Sequence, residues 1–175
     1  MPGNAGSATK FVLRDAGIVL LAVAAWWALA AYSAGDGPWA DLTGLACGAL
    51  GGAVAFVLHE WGHLLAGLAA GGTFPVSDDV RSPFLFVIDP DNSVRQFTIM
   101  SLGGFAVTVL GILFVYSQLP VELLATRVVR GIVMFLASLT LLLEVPLLLF
   151  TIWSGEIPEA ASVAAAPADG GNDEV

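Results

Sequence analysis

Four apolar stretches, separated by short polar breaks, organise this chain. They run from Gly17 to Ala34, from Leu42 to Ala70, from Thr98 to Gln118 and from Gly131 to Trp153. At 1.5 Å of rise per residue, each is long enough to cross a bilayer core about 30 Å thick as a helix. Gly35 to Asp41 is a turn-rich break containing Asp36, Gly37 and Pro38. Gly71-Gly72 closes the second run as a helix C-terminus would. Leu119 to Arg130 reads as a short amphipathic link, and Pro146 interrupts the fourth run.

Thr73 to Phe97 is the one sizeable polar loop. Within it, Phe84 to Ile88 carries a strand signal and Asp89-Pro90-Asp91-Asn92 a turn signal. Val94 to Ile99 can return as a second strand, so the pattern predicts a small β-hairpin. An exposed edge there can pair with an extended peptide. The predicted fold is an all-α integral membrane protein: four transmembrane helices, with a small cytoplasmic β-hairpin between the second and third. Residues 1–9 and the tail 155–175 are expected to be disordered, leaving 10–154 as one transmembrane domain.

Composition agrees with this pattern. Only 12% of residues are charged, against about 25% in a soluble domain, and the mean hydropathy is +0.85. The net charge is −9 and no basic patch exists, which argues against nucleic acid as a partner. The last 20 residues hold Glu156, Glu159, Asp169, Asp173 and Glu174 and neither Lys nor Arg. The single cysteine, Cys47, excludes an internal disulfide and reads as a packing residue. Lys10 and Arg14 before the first run, with Ala31-Tyr32-Ser33-Ala34 at its end, imitate a signal peptide. The further spans behind it argue for a retained span. Lys10, Arg14, Arg81 and Arg95 then share one side and Arg127 and Arg130 the other. The positive-inside rule places both termini in the cytoplasm of a multi-pass protein of the cell (inner) membrane.

The chemistry concentrates at His59-Glu60-Trp61-Gly62-His63, an HExxH sequence containing both histidines of the chain. Residues i and i+4 of a helix lie about 40° apart, so both imidazoles can reach one metal ion. Glu60 projects nearby, as a general base toward a water activated by the metal. By these boundaries the spans hold only one further Asp, Glu, Lys, Arg or His, namely Glu144. Charge at membrane depth is costly and usually functional. His63 stands seven residues before the end of the second run and Glu144 nine before the end of the fourth. That is about 10 and 14 Å from the same membrane face. Glu144 is therefore the candidate third ligand, with a structural partner role as the competing reading. Asp78, Asp79, Asp89 and Asp91 read as solvated loop acids, one of which could fold back to a metal. Gly103-Gly104 lies at similar depth and can admit close helix approach or face a substrate.

An HExxH in a transmembrane helix, then a polar β-forming loop, a glycine motif, and a last span with an acid near a proline, resembles the site-2 protease family of intramembrane zinc metalloproteases. The resemblance covers about Leu42 to Trp153. It implies Zn²⁺ held by His59 and His63, Glu60 as catalytic base, and a membrane protein or peptide as substrate. Ser101-Leu102-Gly103-Gly104 stands where that family has Gly-Pro followed by Asn, with Val107 at the comparable spacing. Leu143-Glu144-Val145-Pro146 stands where it has Leu-Asp-Gly. Two alternatives stay open. One is a non-catalytic membrane subunit or adaptor within a membrane protein complex, retaining the metalloprotease scaffold. The other is a haem or pigment ligand, disfavoured because two histidines of one helix cannot sandwich a porphyrin.

Overall fold

The computed structural model describes residues 5–77, 79–89 and 91–158. Five α-helices form four rods. Helix α1 (Ala5–Leu29) continues into a 3-10 turn, Ala30–Ala34. Helix α2 spans Pro38–Ala69 and α3 spans Val94–Gln118. Helix α4 (Leu124–Leu139), a π-helical turn (Thr140–Glu144) and α5 (Val145–Ser154) form the fourth rod. All four are long and apolar enough to cross a membrane, which is consistent with a membrane protein. Residues 5–9, expected to lack fixed structure, are helical. Residues 1–4 and most of the acidic tail lie outside the described residues. The apolar helix of the first rod begins at Ala8 and that of the fourth at Leu124, so the predicted link after Leu119 is largely helix.

The predicted β-hairpin does not form. The described residues contain no strand, only an isolated antiparallel bridge between Val76 and Phe86. Ser77 N–H donates to Leu85 O at 3.1 Å and Val87 N–H to Pro75 O at 2.8 Å. The segment 84–88 therefore pairs backward, toward 75–77. Its expected partner, Val94 to Ile99, is the first turn and a half of α3. The cause is local: Ser93 and Gln96 form a capping box, with Ser93 Oγ accepting from Gln96 N–H and Gln96 Oε1 accepting from Ser93 N–H. That reciprocal pair satisfies two otherwise orphaned amides and outweighs the β-propensity of Val94 and Ile99. Gln96 also donates to Gly71 O at 2.8 Å, fastening α3 to the end of α2.

Helix α2 is the hub and packs against α1, α3 and α4. Pro38 starts it, and Gly71, at φ +77°, ends it. Its small residues decide how closely α4 approaches. A side chain at Gly44, Gly48 or Gly52 would collide with Leu124, Val128 or Ile132 respectively. Both sets step by four residues, so one ridge of α4 lies in a groove of α2 that has no side chains. At the other end of the bundle, Phe11, Leu64, Phe74, Leu85, Phe86, Phe97, Met100 and Leu148 form one core cluster. It joins α1, α2, the loop, α3 and α5, and it covers the HExxH turn of α2.

Replacing Gly48 by Val is expected to destabilise the bundle by about 1–3 kcal/mol through overpacking against Val128. Nothing lies within 4 Å of a Cβ at Gly111, so Gly111→Ala is expected to be neutral or stabilising by up to about 1 kcal/mol. Thermal unfolding of both variants in one detergent checks the contrast.

Candidate metal centre

His59 and His63 sit one turn apart on α2, both buried. Their Nε2 atoms are 3.0 Å apart and the rings meet edge to face. Glu144 arrives from the fourth rod, with Oε1 3.2 Å from His59 Nε2 and Oε2 3.1 Å from His63 Nε2. The three residues form a group that can hold a metal, all ligand atoms lying within 4.8 Å of one another.

The far side of each ring decides its protonation. His63 Nδ1 faces Met100 O at 3.0 Å. A carbonyl oxygen can only accept, so this Nδ1 carries the proton. His59 Nδ1 faces Gly104 O at 3.2 Å, to which it can only donate, and Thr108 Oγ1 at 2.8 Å, a hydroxyl able to take either role. In the neutral imidazoles both Nε2 atoms then present lone pairs inward. Three acceptors thus converge at 3.0–3.2 Å with no proton between them. Two added protons would serve the carboxylate but would set two imidazolium cations side by side. One metal cation serves all three donors. Tetrahedral bonds of about 2.0–2.1 Å would put ligand atoms about 3.3 Å apart, close to the spacing found.

Glycine makes the arrangement possible. A Cβ on Gly104 would coincide with the His63 ring, and one on Gly103 would strike Ala66 and the Gly62 carbonyl. Helices α2 and α3 are therefore in backbone contact where the imidazoles reach the α3 carbonyls. Gly103 and Gly104, expected to admit close helix approach or to face a substrate, do admit it: Gly103 meets Ala66 and Gly62, and Gly104 seats the His63 ring. Glu144 owes its position to the π turn. Pro146 has no amide to donate, and Val145 N–H reaches back five residues to Thr140 O. Thr140 Oγ1 donates to Glu144 Oε1 at 3.2 Å. Protein leaves 35% of the Glu144 side chain uncovered, against 10% and 8% for the two histidines, so the centre opens on the Glu144 side.

Glu60 stands outside the ligand group. Its Oε2 accepts from Leu85 N–H at 3.4 Å, a long bond from the covering loop. Asp79 and Asp89 bond the amides of Arg81 and Asp91 within that loop, and Asp79, Asp89 and Asp91 are absent from the ligand group. Asp78 lies outside the described residues. Cys47 is buried and packs with Ala30 and Ala125. The sequence reading missed Thr108, Thr140 and the two carbonyls. Thr140 and Thr108 each lie four residues from a singled-out position, Glu144 and Gly104, and that spacing was the available signal. It also missed Asp15, which is buried and accepts from Trp61 Nε1 inside the motif at 2.7 Å.

No family model, curated protein or solved structure matches this chain.

Thr108→Val removes an outer partner of His59 and is expected to weaken divalent-metal affinity about 10–100-fold. Gly104→Ala is expected to abolish stoichiometric metal by displacing His63. Competition with a chromophoric chelator reads the first, and elemental analysis of purified protein the second.

Proposed function

We propose that the chain is an intramembrane zinc metallopeptidase of the site-2 protease type, hydrolysing peptide bonds of membrane protein segments. The observation that carries the reading is the convergence of three groups able to ligate a metal, two imidazoles and a carboxylate, with a second carboxylate, Glu60, in the same turn of α2. Two histidines and one carboxylate, the last 35% exposed, match the donor chemistry of a hydrolytic zinc site, which takes a water as its fourth ligand. Zinc, when bound, supplies a Lewis acid that acidifies a water and polarises a scissile carbonyl.

The chain's own residues do the rest. His59 and His63 are held in one tautomer by Gly104 O and Met100 O. Glu144 completes the set from the fourth rod. Glu60 would take a proton from the water through Oε1, the oxygen not bonded to the Leu85 amide, and return it to the departing amine, as a general base and then a general acid. A helical substrate hides its peptide bonds, so the cleaved segment must unwind locally. The buried flank of α2 keeps bulk water from the imidazoles, while the Glu144 side admits substrate. By the positive-inside count, the site faces the cytoplasmic half of the membrane.

A second reading, a non-catalytic subunit that keeps the metal, is favoured by the engagement of Glu60 with the Leu85 amide. Glu60→Gln separates the two. Zinc should remain at one per chain, while cleavage of a single-span reporter in proteoliposomes drops at least about 100-fold. Equal cleavage by variant and parent would sink the mechanism, and a zinc-loaded parent without cleavage would favour the subunit. Glu144→Ala is expected to lose the zinc itself.

A further inference from the structure

Helix α1 contributes no metal ligand, yet its N-terminal half touches the HExxH motif. Asp15, although charged, is only 5% exposed. Its Oδ2 accepts from Trp61 Nε1 at 2.7 Å and its Oδ1 from Arg14 Nε at 2.7 Å. The Arg14 guanidinium lies over the Phe11 ring and donates to Val80 O at 3.0 Å and Ser82 O at 2.7 Å. Those two carbonyls belong to the loop that, three residues later, brings the Leu85 amide to Glu60.

These contacts close a ring. It leaves the motif at Trp61, passes through Asp15 and Arg14 to the loop, and returns through Leu85 to Glu60, the neighbour of Trp61. Every link but the last is a short bond to a charged group, the stronger kind. The last, at 3.4 Å, is the one with least strength of its own and depends on the loop being held. The buried side chains of Phe11 and Leu85 share a core cluster, so the apolar packing runs parallel to the polar ring. A buried aspartate is costly without partners, and both partners of Asp15 point toward Glu60 by different routes.

We propose that Asp15 is a positioning residue for Glu60: through Trp61 and Arg14 it holds the loop that sets the Leu85 amide on the Glu60 carboxylate. The role of Glu60 as base rests on the hydrolytic reading, whereas the ring does not. Asp15 fixes one carboxylate oxygen of Glu60 to the loop amide and leaves the other to face the water. It acts on proton transfer without touching the metal ligands.

The test uses the full zinc-loaded chain in lipid nanodiscs, with Asp15→Asn, Trp61→Phe and Arg14→Lys. Trp61→Phe keeps an aromatic side chain and deletes the N–H donor together with the five-membered ring. Arg14→Lys keeps the charge and deletes the fork. Each variant is expected to speed hydrogen exchange of the Leu85 amide about tenfold, with zinc still at one per chain. The Asp15→Asn/Trp61→Phe double variant should add little to either single one. Reporter cleavage should lose kcat at unchanged KM. Unchanged Leu85 exchange in all three variants overturns the proposal, as does loss of zinc in parallel or a change in KM alone. A zinc-loaded parent that cleaves nothing overturns the hydrolytic reading instead, and the exchange result alone then decides the ring.

Discussion

Two backbone carbonyls of α3 determine the character of the centre. Met100 O and Gly104 O can accept hydrogen bonds and cannot donate them. They therefore fix the protons on the outer nitrogens of both imidazoles and turn both lone pairs inward. Glu144 then meets an electron-rich pair. Without these carbonyls, the two histidines could pair with each other, one donating and one accepting, and there would be no vacancy for a cation. The remaining architecture brings α3 close enough for those bonds. The contact of Gly62 with Gly103, the missing side chain of Gly104, whose space the His63 ring fills, and the capping box that starts α3 at Ser93 all serve that distance.

The same economy of side chains recurs along α2. Glycines at 44, 48 and 52 bring α4 close at one end of the bundle, and Gly62 brings α3 close at the other. In lipid, apolar burial gives little drive for helices to associate, so tight van der Waals contact has to supply it. Helix α2 thus joins two functions. One flank anchors the fourth rod, which carries Glu144, and the opposite end carries the histidines. The distance between the two ligand sources is set by the same helix that bears one of them.

Much of this was legible in the sequence, for physical reasons. Membrane spans announce themselves because lipid tolerates few polar side chains, so the few that occur stand out. His59, His63 and Glu144 were visible as a set on that ground, and their similar depth followed from counting residues. Three features were not legible in the same way. Val94 to Ile99 has the composition of a strand, and only the short Ser93–Gln96 pattern marks it as a helix start. Asp15 drew no notice because the Trp61 indole it meets lies 46 residues away in the chain, and the loop carbonyls held by its neighbour Arg14 lie farther still. Such long-range pairing leaves no local period. The π turn at Thr140–Glu144 was hidden too: Pro146 signals a disturbed helix, not the direction in which the disturbance resolves.

The use of main-chain atoms to orient the histidines has a consequence for how this centre can vary. Every residue type brings a carbonyl, so position 100 can drift among side chains of similar bulk while the His63 tautomer persists. Position 104 has no such latitude, because the imidazole occupies the space of its missing side chain. Divergence at such a site is uneven. Gly104, with Gly62 and Gly103 at the same helix contact, is held fixed while positions that contribute only a carbonyl remain free to change, so descendants of this chain could keep the donor set with little of the surrounding sequence.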